Sequence, residues 1–259
     1  MKKLGLALGS GASRGAAHIG FLKGLEEEGI KPDFIAGCSM GSIVGAAYAA
    51  GVSIEGMRAA MNNLRMLDII TPASQRGGLF GTKKMRKTLE EYIGDIDFKD
   101  LKVPFHCIAT DMCSRKIVEF SEGSVLDAIV ASSCIPCLFS PFEKDGMLLV
   151  DGMILERVPV KQVKAMGADV VVAVDVLGGM EGLKECPMGW QMVMEVIMLM
   201  DEVRTQKQKH EYAELCDFWL EPELGDMSIF ELKQIEFACE QGYALAKLHA
   251  KEIKKALED

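Results

Sequence analysis

A run of apolar residues and glycine, Leu4–Leu8, ends at a glycine cluster, and beyond Arg14 the positions His18, Phe21, Leu22 and Leu25 recur at three- and four-residue intervals until Gly29. Continuous apolar character followed by helical periodicity predicts a strand, a glycine loop and a helix. A second apolar run, Phe34–Cys38, leads into the alanine-rich residues 42–50, so the first fifty residues read as a β-α-β-α unit with its two strands paired in parallel. Further strands are expected at 105–110, Lys116–Phe120, 148–150, Val170–Val174 and Phe218–Leu220, with helices between most of them.

Residues 71–82 have no period and carry Pro72 and three glycines, which predicts a loop, with Thr82 capping the helix that follows. Near the end, Leu232, Ile235, Cys239, Gly242, Ala246, His249 and Ile253 repeat at three and four residues and predict a long amphipathic helix packed across the sheet. No repeat, Ser/Gly linker or charge block divides the chain. The expectation is one α/β domain over residues 1–259, with a C-terminal helical part at 188–257.

Composition narrows the classes of function. The 259 residues are 49% hydrophobic and 26% charged, enough to bury a core, and the net charge of −9 offers no basic footprint for a phosphate backbone. Nucleic acid is therefore not expected as a partner. No apolar run reaches the ~18 residues of a membrane span, which leaves contact with a membrane surface open. The start, Met1-Lys2-Lys3 followed by Leu4–Leu8, reads as a first strand rather than a signal peptide because Arg14 falls where a cleavage region belongs. Eight cysteines scattered through a chain too long to need disulfide staples suit a reducing, cytoplasmic setting. Cys134-Ile135-Pro136-Cys137 spaces two thiols as half a metal or redox site, but no second pair completes it, so packing cysteines and no metal are expected.

Three segments carry candidate chemistry. Gly37-Cys38-Ser39-Met40-Gly41 is a G-x-S-x-G sequence between an apolar strand and an alanine-rich helix, the context of a nucleophile elbow; a serine capping the helix is the plainer reading. Gly9-Ser10-Gly11-Ala12-Ser13-Arg14-Gly15 follows the first strand, and its backbone N–H groups suit either a phosphate or an oxyanion. Arg14 stands where a dinucleotide fingerprint wants its third glycine, and no P-loop Gly-Lys-Ser/Thr is present. A serine nucleophile needs a base, yet His18, His106, His210 and His249 all lie within strand or helix patterns. Asp151, at the end of the run Met147-Leu148-Leu149-Val150 and followed by Gly152, is mounted either as a base or as a turn former. Met188, Met192, Met194, Met198 and Met200 mark a helix that faces the core, another subunit or, as a lid, acyl chains.

Taken together, the glycine loop, the Ser39 elbow and Asp151-Gly152 resemble the patatin-like phospholipase family, as do Ala109-Thr110-Asp111, residues 131–136 and Val158-Pro159-Val160; the resemblance covers residues 4–175. It implies a three-layer α/β/α sandwich with a mainly parallel sheet, and lipid acyl hydrolysis by a Ser-Asp dyad without histidine, metal or cofactor. Carried over, Ser39 is the nucleophile between Gly37 and Gly41, Asp151 the base, and the N–H groups around Gly11, Ala12, Ser13 and Arg14 the oxyanion hole, with Arg14 also placed to hold the loop or an anionic head group. The implied partner is a lipid or acyl-ester substrate; homo-oligomerisation stays open. The chain departs from the family's usual glycine at Ala12, tolerable if its φ stays negative, and from its usual Gly or Ala at Met153, expected to add apolar bulk near Asp151 and so affect acyl fit. A non-hydrolytic nucleotide-binding protein using the glycine loop, and an interaction protein that merely retains the fold, are the competing readings.

Overall fold

The computed structural model describes residues 2–73, 77–180 and 188–259, the Trp190 side chain excepted. In chain order the elements are β1 (Leu4–Leu8), α1 (Ala16–Glu27), β2 (Phe34–Cys38), α2 (Met40–Ala50), α3 (Ile54–Asn63), α4 (Met66–Ile69), β3 (Thr71–Pro72), β4 (Gly78–Gly81), α5 (Lys83–Ile93), β5 (Phe105–Asp111), β6 (Lys116–Phe120), α6 (Val125–Ser132) and β7 (Cys137–Phe139). There follow β8 (Phe142–Lys144), β9 (Met147–Asp151), α7 (Val160–Ala165), β10 (Val170–Val174), α8 (Trp190–Glu211), β11 (Phe218–Leu220) and α9 (Ile235–Glu258).

The main sheet runs β11-β10-β1-β2-β5-β9-β8, with β6 also on β5; β11, β10, β1, β2 and β5 are parallel. β1 explains why these strands read as unbroken apolar runs: both faces are covered. Leu4, Leu6 and Leu8 pack with α1, α2, α6 and α9 on one face, whereas Ala7 meets Val160 and Val163 of α7 and Tyr212 after α8 on the other. The result is the α/β/α sandwich.

Two sequence expectations fail. Residues 71–82 are not simply a loop: β3 and β4 pair with each other and β4 pairs in parallel with β7, forming a separate three-stranded sheet, while 74–76 lie outside the described residues. Strands of two to four residues carry no readable period, and β7 comes from far along the chain. Thr82 does precede α5, but its side chain makes no capping hydrogen bond.

The second correction concerns α9, which packs on α1 rather than across the sheet. A Cβ on Gly20 would overlap the Cys239 carbonyl, one on Gly242 would overlap that of Ala17, and Cys239 Sγ donates to Ala16 O. The two backbones thus meet without intervening side chains; Ala16 meets Cys239, Gly24 meets Ala246 and Glu28 meets Lys247 and Lys254, so the helices run in the same direction. Among the described residues no helix is long and apolar enough to cross a membrane.

Candidate active site

The meeting of Ser39 and Asp151 follows from how β5 shares its edges. Cys107 and Ile108 of β5 pair with Gly37 and Cys38 of β2 on one edge and with Phe120 and Glu119 of β6 on the other. From Ala109 onward β6 keeps its edge, and antiparallel β9 takes over the one that β2 has left. Cys38 therefore stands opposite Ile108 and Asp151 opposite Ala109. Two strands distant in sequence abut end to end, and Cys38 Sγ lies 3.7 Å from Asp151 Oδ1.

Ser39 follows Cys38 with φ 53° and ψ −123°, a strained turn for a residue with a side chain, and α2 starts at the next residue. Its glycine neighbours permit the bend: a Cβ on Gly37 would lie 2.6 Å from Gly41 O, and one on Gly41 2.6 Å from Gly9 O. Two side chains missed in the sequence hold the turn. The Ser39 N–H donates to Ser132 Oγ at 2.8 Å, and Ser42 Oγ donates to Ser39 O at 2.6 Å; Ser132 lies in the 131–136 stretch that carries part of the family resemblance.

Asp151 is fully buried. Oδ1 accepts the Met153 N–H at 2.9 Å, whereas Oδ2 has no hydrogen-bond partner among the described residues. Burial pushes the carboxyl up to about 7; the Ser39 hydroxyl is the strongest of the groups that oppose the rise, ahead of the Met153 N–H and the Cys38 thiol. An unfilled carboxyl oxygen with a hydroxyl near it is chemically able to take that hydroxyl's proton.

In the glycine loop, Ala12 has φ 44°, not the negative value expected, and occupies a region that favours glycine. The Ser13 N–H donates to Ile229 O and the Arg14 N–H to Gly11 O, both at 3.0 Å. Both groups are thus spent. Among the described residues the N–H groups of Gly11, Ala12 and Met40, the last at the N-terminus of α2, have no acceptor. Arg14 is buried and holds the loop: its guanidinium donates to Val176 O at 2.7 Å, Met227 O at 2.9 Å and Gly225 O at 3.1 Å. His18 does likewise, its Nε2 donating to Gly9 O at 2.8 Å while burial lowers its pKa to about 4 and keeps it neutral.

An apolar pocket of about 170 Å³ opens over Ser39, Ala12 and Ser13. Met40, Ile43, Val44 and Ala47 present one face of α2 to it, and α3, α4 and α5 close it with Met57, Met61, Met66 and Met85. Ser133 also lines it, with Oγ unpartnered. None of the five methionines of residues 188–200 lines this pocket. Met194 and Met198 are buried, Met198 against Cys38, Ile108 and Met153, while Met188, Met192 and Met200 are exposed. Met153 itself lies on that far side, not beside the pocket as an effect on acyl fit would require. Among the described residues no group of three or more His, Cys, Asp or Glu side chains could hold a metal ion; Cys134 is buried, whereas Cys137 is exposed.

A network of charges backs the site. Arg157, on the chain after β9, pairs with Asp175 at 2.7 Å after β10 and with Asp201 of α8 at 2.8 Å, all three buried. Arg204 of α8 bonds Asp201 and the carbonyls of Met153 and Ile154, directly beyond Asp151.

In sequence, the chain is 36% identical over 182 residues to an NTE family protein of Mycobacterium tuberculosis, covering 70% of this chain and 51% of that one. It is 35% identical over 185 residues to a lysophospholipase of Aspergillus fumigatus, covering 68% of this chain and 12% of that one. The chain thus spans about half the length of the mycobacterial relative and far less of the fungal one. In structure it matches VipD of Legionella pneumophila with TM-score 0.64 at 14% identity, covering 99% of this chain and 66% of that one. It also matches human group IVD cytosolic phospholipase A2 in complex with a fluorophosphonate inhibitor, with TM-score 0.52 at 12% identity, covering 99% and 59%. The model of the patatin-like phospholipase family matches residues 6–164, more than half the chain and both ends of the Ser39–Asp151 juncture, and the protein belongs to that family.

Proposed function

We propose that the chain is a serine lipid acyl hydrolase that cleaves carboxylic esters of phospholipids or related lipids through a Ser39-Asp151 dyad. The observation that carries this reading is a strained serine at the wall of an apolar pocket, beside a buried carboxyl with one oxygen unfilled. Asp151 Oδ2 takes the hydroxyl proton as Ser39 Oγ attacks the ester carbonyl, and the developing oxyanion meets the N–H groups of Gly11, Ala12 and Met40. The alcohol leaves with the proton held on Asp151. Water then attacks the acyl-enzyme, giving up a proton to Asp151, which passes it to Ser39 Oγ as the acyl bond breaks and the fatty acid leaves. Relatives called a lysophospholipase and, in Drosophila melanogaster, a neuropathy target esterase support an ester substrate. A nucleotide is disfavoured because, among the described residues, no cation lines the pocket and the Arg14 guanidinium is turned onto backbone carbonyls.

A fluorophosphonate probe tests the reading directly. The expected result is a single adduct mapped to Ser39 by mass spectrometry, absent in Ser39→Ala and much slowed in Asp151→Asn. A folded wild-type protein that takes up no probe would overturn it.

The pocket predicts chain-length selectivity. Ala47 lies seven residues beyond Met40 on the same face of α2, about 10 Å along the axis at 1.5 Å per residue. Ala47→Phe is expected to lower kcat/KM for long-chain esters by about tenfold or more, leaving short-chain esters nearly unaffected. Equal losses on both would place the acyl chain elsewhere.

A further inference from the structure

We infer that the outer face of the cap formed by α4, β4 and α5 docks on an anionic lipid surface, an inference that rests on the acyl hydrolase reading above. The inner side of this cap is pocket wall: Met66 and Ile69 of α4 and Met85, Leu89 and Tyr92 of α5 line the cavity. Its outer side exposes large apolar side chains, Leu67 at 68%, Leu79 at 52% and Tyr92 at 46%, the last reaching from cavity to solvent.

The charge on this face opposes that of the whole protein. Among the cap's described residues, 65–73 and 77–93, Arg65, Lys83, Lys84, Arg86 and Lys87 stand against Asp68, Glu90 and Glu91, a net positive charge in a chain of net charge −9. An anionic surface repels the molecule in most orientations and attracts it in the one that turns the cap downward. Placement within α5 is also telling. Lys83 and Lys84 open the helix, at its positive end, with no acidic residue in the first turn and no side-chain cap from Thr82. Such an arrangement costs local stability and concentrates positive potential. Neighbouring ion pairs engage Arg65 with Asp68 and Arg86 with Glu90, Asp95 and Asp127, leaving Lys83 and Lys87 outside them and exposed. Lys84 Nζ donates to Leu67 O and ties the two cap helices together. Exposed apolar side chains and lysines on one cap over the roof of an acyl pocket fit an interface where anionic head groups overlie acyl chains.

Another apolar face competes: Val193, Val196, Met200 and Val203 are exposed on α8. It lies on the opposite side of the sheet from the pocket, and among the described residues no cluster of exposed lysines comparable to that of α5 surrounds it.

The test is sedimentation of the full chain with vesicles of phosphatidylcholine alone, or of phosphatidylcholine and phosphatidylglycerol in equal parts. Binding is expected only to the mixed vesicles and is expected to weaken with salt. Lys83→Glu/Lys87→Glu, which spares the Lys84 link, should lower vesicle affinity by about 25-fold, at roughly fivefold per lysine, with turnover of a dispersed short-chain ester unchanged and the Tm no lower. Equal binding to both vesicle types, unchanged binding of the lysine variant, or binding lost in Val196→Asp/Met200→Asp instead would each overturn the inference. Ser39→Ala separates this question from the chemistry, because docking is read without turnover. Lysine-dependent binding by a protein inert to fluorophosphonate would sink the hydrolase reading, whereas a labelled, active enzyme indifferent to the lysines would sink docking alone.

Discussion

Asp151→Asn is expected to cut kcat/KM for a carboxylic ester by about 10⁴-fold, the scale on which a hydrolase loses rate when its acid-base group is disabled. Asparagine has the same shape, and its carbonyl can still accept the Met153 N–H that Oδ1 now holds. What it cannot do is take the Ser39 proton. The pH profile identifies the group: with burial holding the Asp151 carboxyl at about 7, wild-type kcat/KM should rise with pH through neutrality and level off above it, as the competent carboxylate forms. In Asp151→Asn the residual rate should lose that limb. Stability should move the other way. Because the folded pKa lies above the ordinary 3.8 of an aspartate, Asp151 adds stability only while protonated, and that contribution is lost as pH rises from about 4 through about 7. The asparagine variant is therefore expected to melt above wild type at pH 8, with the gap closing toward pH 4. A variant that is both slow and less stable at pH 8 would mean that the carboxylate is a structural ligand rather than a strained base.

Most of this scaffold was legible from patterning because β1, β2, β5 and β10 are covered on both faces and so read as short apolar runs between glycine turns. The unread parts are those decided at a distance. β3, β4 and β7 are too short to show a period, and their sheet exists only because residues 137–139 return to pair with 78–80. The partner of α9 was signalled, in retrospect, by Gly20 and Gly24 one turn apart on α1 facing Gly242 and Ala246, small residues where two backbones must approach. Ser39 announced itself because a nucleophile elbow is a local device. Asp151 was ambiguous because its role depends on β9 taking the edge of β5 that β2 vacates, which no spacing records. The methionines mislead for a related reason: those of residues 188–200 form a conspicuous run, whereas Met40, Met57, Met61, Met66 and Met85, which do line the pocket, are dispersed over α2 to α5.

Arg157→Met is expected to cost about 3–5 kcal/mol of stability, because it leaves Asp175 buried without its counter-charge and Asp201 with Arg204 alone. That corresponds to a fall in Tm of roughly 10 °C, at about 2–4 °C per kcal/mol for a chain of this size. Burial already pushes both aspartates upward, and the guanidinium is what favours their ionised forms. Without it their folded pKa values rise further above the unfolded ones. Their stabilising contribution is then confined to the protonated state and lost as pH rises, so the deficit should be large at pH 8 and shrink in acid. The damage should reach the chemistry as well. Asp201 also holds Arg204, and Arg204 bonds the carbonyls of Met153 and Ile154, so loosening α8 frees the turn that fixes Asp151. Neutralising the two buried carboxylates in Arg157→Met/Asp175→Asn/Asp201→Asn is expected to recover more than half of the lost stability, since neutral buried groups avoid the penalty of under-compensated ions. It should restore less of kcat/KM, because a neutral amide in place of the Asp201 carboxylate holds Arg204 more weakly. If Arg157→Met melts with wild type at pH 8, the network carries no net stability and the seat of α8 must be credited to Met194, Met198 and their apolar neighbours alone.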